Sequence, residues 1–320
     1  MSARVSSRAA AVMGTIVSVQ AISAQDGHEE AARRDQALAR ALAWFDDIER
    51  RCTRFAPDSE VMRLASRPGE PVPVSPMVFE LIRFAMAVAE DTGGAFDPAV
   101  GSRMERMGFN REHRAGATVR FGADEDAGAS FRDIACDETA QTVTLKQPLV
   151  LDLGAVAKGL ATDLAARELA GFAGFAIDAG GDLYLGGTNQ DGLPWSAGIR
   201  HPRRHDELIG TLTLTGRAVC TSGDYERPAP GAAGAHHIID PRTGASPHGV
   251  ASVTVVAPSA LLADALGTAA FVLGPDEGLR LLERHAADGV EGLIVTPSLE
   301  RFPTRGMERE LICQASVLAG

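Results

Sequence analysis

"LDLGAVAKGLATDLAARELA", residues 151–170, runs from an apolar segment into a carboxylate, then two glycines around a lysine, then a helix-forming run. The spacing predicts a helix over 156–169. Such a junction can receive phosphate, because glycine lets backbone N–H groups approach an anion and a helix N-terminus favours negative charge. It can equally be a glycine-assisted turn with Lys158 in solvent. GAVAKG (154–159) lacks the four residues between glycines and the Gly-Lys-Ser/Thr ending of a P-loop, and it is no GxGxxG fingerprint.

Outward from this stretch, the pattern mixes helices with antiparallel strands. Residues 13–22 alternate apolar and polar, as a strand does. Leu38, Leu42, Phe45 and Ile48 recur at helical spacing, and 53–58 breaks that helix. Ser75 caps a second helix with Pro76 in its first turn and Phe79, Ile82, Met86 and Ala89 on its apolar face; Gly93 and Gly94 stop it. GGAFDPAVG (93–101) reads as a loop and 110–140 as surface loops with short strands. TVTLKQPLVLDLG reads as a hairpin leading into the opening stretch. GFAIDAGGDLYLGG is strand, glycine turn, strand; WSAGIRHP, IGTLTLTG and RAVCTSGDY are further strands. ERPAPGAAGA (226–235) reads as a mobile loop, and HHIIDPRTG and ASVTVVAPS as strand and turn. Ser259 caps a helix ending at Leu273, 275–287 makes another, and EGLIVTP closes with a strand. Without a strict βαβ alternation, this is an α+β protein with mixed, largely antiparallel sheets and packed helices.

The 320 residues suffice for one large domain or two lobes, each with a core. A net charge of −11 repels phosphate backbones, which argues against nucleic acid as a partner. An anionic ligand then needs a local cation, a metal or backbone N–H groups. Cys52, Cys136, Cys220 and Cys313 are far apart and form no CxxC pair, so they read as isolated thiols rather than a zinc site or disulfide framework. The apolar run near the N-terminus is short and broken by Gly14, Thr15 and Ser18. No small-residue cleavage site or lipid-accepting cysteine follows it, so residues 1–12 read as a tail and the chain as cytoplasmic. No stretch approaches about 20 uninterrupted apolar residues, which excludes a helical membrane span.

Within ADALGTA (263–269), Asp264 and Thr268 are four apart, so their oxygens share a helix face among apolar neighbours. A hard cation such as Mg²⁺ would remove the cost of burying that carboxylate. The alternative is a partly exposed aspartate beside a threonine bonding its own backbone. His237 in HHIIDPRTG is either structural or a base. DAGGD (178–182) is a β-turn with two carboxylates, and TSGDY (221–225) is a phosphate cradle or a plain turn.

Nine stretches in order over about 13–295 resemble one family, the ApbE-type FAD:protein FMN transferases. They are MGTIVSV, RFAPDSEVMRL, GGAFDPAVG, LDLGAVAKGLATD, IDAGGDLYLGG, WSAGIRHP, AVCTSGDYER, HHIIDPRTGASP and SVTVVAPSALLADALGTAAFVLG. The resemblance implies an ApbE-like, T-fold-related domain over 13–320, in two closely packed lobes with FAD and Mg²⁺ between them. It implies transfer of the FMN half of FAD to a Thr or Ser hydroxyl of an acceptor flavoprotein, within a short Asp-Ser/Thr-Gly-containing motif, with release of AMP. Residues matching the family's flavin site are Met13, Phe55, Ala95, Phe96, Asp97, Asp152, Lys158 and Ile239. Those matching its metal site are Ala155, through its carbonyl, with Asp264 and Thr268. His237 matches the histidine that assists the chemistry. Phe55 and Phe96 offer flat apolar surface to a ring system or pack in the core. Some relatives carry an acid where Lys158 and Gly267 stand here. Two other functions stay open: an FAD pyrophosphatase giving FMN and AMP, and a flavin-binding protein without turnover.

Overall fold

The computed structural model describes residues 4–24, 27–111, 118–119, 128–204, 206–230, 234–309 and 311. In chain order the elements are β1 (Arg4–Val12), β2 (Thr15–Ser23), α1 (His28–Cys52), α2 (Glu60–Ala65), β3 (Val72–Pro73), α3 (Pro76–Asp91), α4 (Gly101–Arg106), β4 (Ile134–Asp137) and β5 (Thr142–Leu145). They continue as α5 (Gly154–Leu169), β6 (Gly174–Ala179), β7 (Asp182–Gly187), β8 (Trp195–Arg200), β9 (Leu208–Leu214), β10 (Arg217–Gly223), β11 (Ser252–Ala257), α6 (Ala260–Arg284), β12 (Glu291–Val295) and β13 (Arg301–Pro303). Two compact units result: Met1–Asp46 with Lys158–Gly223 and Gly249–Gly320, and Asp47–Ala157 with Asp224–His248.

The first unit is built on an antiparallel sheet in the order β1-β2-β6-β7-β10-β11-β12-β13. In β2, Val17, Val19 and Ala21 are buried while Ile16 and Ser18 are exposed, the alternation read from sequence. All six residues of β11 are buried. α6 packs on β10, β11 and β12. The separate β8–β9 hairpin contributes Ala197, Ile199, Leu212 and Leu214 to a cluster with Val219, Val256, Leu293 and Met307. α6 breaks at Gly274, whose φ is +84°, just before Pro275, which matches the two successive helices expected there.

Residues 4–12, expected as a tail, form β1 instead. RVSSRAAAV is small and polar and has little strand propensity of its own; pairing along its whole length with β2 makes the strand. The turn joining them is Met13–Gly14, with φ of +53° and +72°, and β6 joins β7 through Gly180–Gly181, with φ of +70° and +100°. Both are two-residue turns of the kind whose twist suits a hairpin. Val17 pairs with Ala179, and Val219 pairs with Leu183, so these two turns and the Gly223 end of β10 lie at one end of the sheet.

The second unit holds α2, α3, α4 and a small sheet in the order β3-β5-β4. Ser75 caps α3, with Pro76 leading the helix and Phe79, Ile82 and Ala89 buried, as expected. Two expectations need correction. The hairpin into the opening stretch is β4–β5 alone; residues 146–153 run on outside any strand. The HHII segment is no strand and makes only an isolated bridge between His236 and Pro228. Loop bonds win there: the His236 N–H donates to Ser246 Oγ at 2.9 Å, and the Gly244 N–H returns to the Asp240 carbonyl at 2.8 Å.

No helix among the described residues is long and apolar enough to cross a membrane. Cys52 and Cys220 are buried, and burial pushes the Cys52 thiol up to about 12, which makes it a poor nucleophile. Cys313, residues 231–233 of the 226–235 loop, and 112–117 and 120–127 of the 110–140 stretch lie outside the described residues.

Candidate active site

Met13, Lys158, Asp264 and Thr268 belong to the first unit; Phe55, Ala95, Phe96, Asp97, Asp152, Ala155, His237 and Ile239 belong to the second.

In the first unit, Lys158 on α5 faces two carboxylates. Its Nζ pairs with Asp182 Oδ2 and lies 3.4 Å from Asp264 Oδ2; the three side chains are 19%, 8% and 10% exposed. Asp264 therefore has a resident cation. Asp182 was missed as a candidate: the glycine-turn reading of DAGGD was correct, but a turn says nothing about the burial of the residue after it. Here Asp182 opens β7, and its Oδ1 accepts the Thr221 N–H at 3.0 Å. The Thr221 and Thr254 hydroxyls share a hydrogen bond of 3.0 Å. Thr268 lies one turn beyond Asp264 and is partly exposed; among the described residues its hydroxyl does not bond its own helix backbone.

The backbone geometry that brings Lys158 to Asp264 comes from two neighbours in the opening stretch. A Cβ at Gly159 would sit 2.6 Å from the Ala260 carbonyl oxygen and the Leu261 Cα, so only glycine lets α5 meet the start of α6. One turn later Asp163 accepts the N–H groups of Ala260 and Leu261 at 2.7 and 3.0 Å, and Ser259 Oγ accepts that of Leu262 at 3.2 Å. Three donors of the first turn of α6 are thereby satisfied. Burial raises the Asp163 pKa against those two bonds. Gly267 differs: a Cβ there would meet Ser222 Oγ at 3.5 Å and Val255 Cγ2 at 3.6 Å, ordinary contact. Met13 adopts a positive φ in a turn that favours Asn or Gly, a local strain of about 1 kcal/mol.

In the second unit, buried Arg54 organises the site. Its Nε donates to Asp152 Oδ2 at 2.8 Å, its Nη2 donates to the Phe109 carbonyl, and its guanidinium lies 4.5 Å from the centre of the Phe55 ring. Arg54 adjoins Phe55 in RFAPDSE, which is the sequence signal that could have found it. Asp152 Oδ1 accepts the Gly154 N–H at 2.8 Å, at the start of α5, and Ala155 follows in its first turn. Asp97 is buried and committed to backbone: it accepts the Ala99 N–H at 2.8 Å and the Phe131 N–H at 3.1 Å, while burial raises its pKa. Ala95, Phe96 and Ile239 are buried, so Phe96 is core; Phe55 is partly exposed and keeps ring surface accessible. His237 donates its backbone N–H to the Arg227 carbonyl at 3.0 Å, and its buried Nδ1 has no partner among the described residues. Burial drives its pKa down to about 3, helped by Arg227 and His236 and opposed by Asp152, so the imidazole is neutral at pH 7.

A family model described as the ApbE family matches residues 13–294. The chain belongs to the ApbE family. It is 35% identical over 308 residues to the FAD:protein FMN transferase of Rhodobacter capsulatus, covering 90% of this chain and 56% of that relative's length. The ApbE protein of Thermotoga maritima, known from a crystal structure, superposes with a TM-score of 0.83 at 30% identity, over 96% of this chain and 99% of that one. The apo form of the Pseudomonas stutzeri flavinyl transferase ApbE gives 0.79 at 27% identity, over 97% and 98%. The expected ApbE-like α+β architecture of helices and antiparallel sheets is therefore the observed one.

A hard divalent cation suits the donors on α6. Asp264 and Thr268 offer a carboxylate and a hydroxyl oxygen one turn apart. No group of three His, Cys, Asp or Glu gathers among the described residues, so water or substrate oxygens would complete the shell. Mg²⁺ is commonly held in this way, by one or two carboxylates plus phosphate.

Proposed function

We propose that this chain is an FAD:protein FMN transferase. The FMN phosphorus of FAD is attacked by a Thr or Ser hydroxyl of an acceptor flavoprotein. A phosphoester bond forms, the bond to the bridging oxygen breaks, and AMP leaves. The observation that carries this reading is the buried Asp264 beside Lys158, with the Thr268 hydroxyl one turn on, in a chain similar over nine-tenths of its length to a named transferase.

Asp264 and Thr268 would hold Mg²⁺, which supplies neutralising charge to a diphosphate when bound. His237 would take the proton of the acceptor hydroxyl, a poor nucleophile while protonated, with the substrate's anionic phosphate restoring the basicity that burial removes. Arg54 holds Asp152 and the Phe55 ring in fixed orientation, and that ring gives the flavin or adenine a flat apolar partner. Asp97 serves by shaping the loop of Ala95 and Phe96 rather than by offering a free oxygen.

The test incubates the protein with FAD, MgCl₂ and a candidate acceptor, then reads flavin fluorescence in a denaturing gel. The expected result is a fluorescent acceptor band and one AMP per flavin attached, both falling to background in Asp264→Ala with its melting transition retained. Free FMN and AMP without acceptor labelling would mark a hydrolase, and intact bound FAD a carrier. Undiminished labelling by Asp264→Ala would overturn the metal assignment.

A further inference from the structure

Lys158, Asp182 and Asp264 place one positive and two negative charges where no side chain is more than a fifth exposed. The lysine is shared between the two carboxylates. Asp182 is held at both oxygens, by the Thr221 N–H and by the ammonium. The same ammonium donates to Asp264 Oδ2 at 3.4 Å. Both carboxylates stand on rigid elements: Asp182 opens β7, and Asp264 lies on α6, whose first turn is fixed by Asp163. The ammonium stands between Asp182 and Asp264.

We propose that Lys158 and Asp182 form a standing counter-ion for Asp264. Lys158 screens the Asp264 charge while no divalent cation is bound, and Asp182 keeps Lys158 when one arrives. The inference rests on the assignment of Asp264 to a divalent cation made above. Asp182 is a positioning residue that acts through Lys158. Without the lysine, two buried carboxylates would lose the cation that stands between them, a costly change. Without Asp182, the lysine would pair fully with Asp264, and an incoming cation would have to displace it. One ammonium shared by two carboxylates avoids both extremes and tunes the affinity of the site.

The experiment uses the whole protein with Mn²⁺ as probe, its free concentration read by electron paramagnetic resonance, and thermal unfolding in EDTA alongside. Lys158→Met is expected to bind Mn²⁺ about tenfold more tightly and to melt lower in EDTA, because Asp264 loses its resident cation. Asp182→Asn keeps the acceptor for Thr221 and removes only charge; it is expected to weaken Mn²⁺ about tenfold. Should Lys158→Met fail to fold, Lys158→Arg serves instead, its fork gripping both carboxylates and weakening Mn²⁺. An ordinary structural ion pair would lower the melting temperature in both neutralised variants and leave Mn²⁺ affinity unmoved, or move it in one direction. That result overturns the counter-ion while Asp264 stands as a ligand, provided Asp264→Asn abolishes binding. Wild-type protein that fails to bind Mn²⁺, or Asp264→Asn that binds it equally well, overturns both readings.

Discussion

In the sheet-based unit Asp182 and Asp264 face a lysine from a third element, whereas in the other unit Asp97 is bonded wholly to backbone N–H groups and Asp152 to backbone and Arg54. A carboxylate tied to backbone defines the path of the chain and cannot change partner without unmaking a loop. A carboxylate tied to another side chain can exchange that partner for a ligand. The same contrast recurs inside the first unit, where Asp163 is committed to backbone at the first turn of α6 and Asp264 faces a side chain. Buried acid by itself says little about function; what its oxygens are bonded to says more.

The largest effect should come from breaking the contact on which the first unit's charges depend. Gly159→Ala drives a methyl group into the backbone at Ala260 and Leu261, atoms that cannot swing away. A loss of about 3 kcal/mol in unfolding free energy is expected, together with FMN transfer. A wild-type melting temperature would show that α5 and α6 can part without consequence. A smaller effect probes the second unit, where the buried His237 Nδ1 has no hydrogen-bond partner among the described residues. Its folded pKa of about 3 lies below that of the unfolded chain, so between pH 6.5 and 3 the unfolded state binds the extra proton. Stability contributed by the neutral ring is therefore full above pH 6.5 and lost on acidification. Relative to His237→Gln, wild-type protein should lose about 2 kcal/mol more between pH 7 and 4.5, read from urea midpoints. Equal losses would mean the ring is solvated. The smallest effect sharpens the contrast between two glycines of one neighbourhood. Gly267→Ala meets only ordinary contacts, so it should stabilise the helix by about 0.5–1 kcal/mol, seen as a raised melting temperature.

The parts of this fold legible in sequence carry a periodic pattern or a cap. α3 announces itself through Ser75, Pro76 and its apolar face, α6 through Ser259 and the Gly274–Pro275 break, β2 through alternation. β1 could not be read, because RVSSRAAAV becomes a strand only by pairing. HHII misled because so short an apolar run does not distinguish a strand from a loop tied to Ser246. At the site, Asp264 and Thr268 share a helix and a spacing, so their pairing was visible. Asp182 reaches Lys158 through strand register and Asp163 reaches α6 through helix packing, and neither relation leaves a mark in local sequence.

The strand order of the large sheet also bears on how the chain is made. β2 leaves the ribosome before its next sheet neighbour, β6, which cannot form until Gly174 and its successors emerge. The sheet is completed only when β12 and β13 follow α6. Until β6 arrives the β2 edge that carries Val17, Val19 and Ala21 has no strand beside it, a sticky nascent edge that invites holding by chaperones or clumping with other growing chains. Slow, cool expression should accordingly favour recovery of well-formed protein.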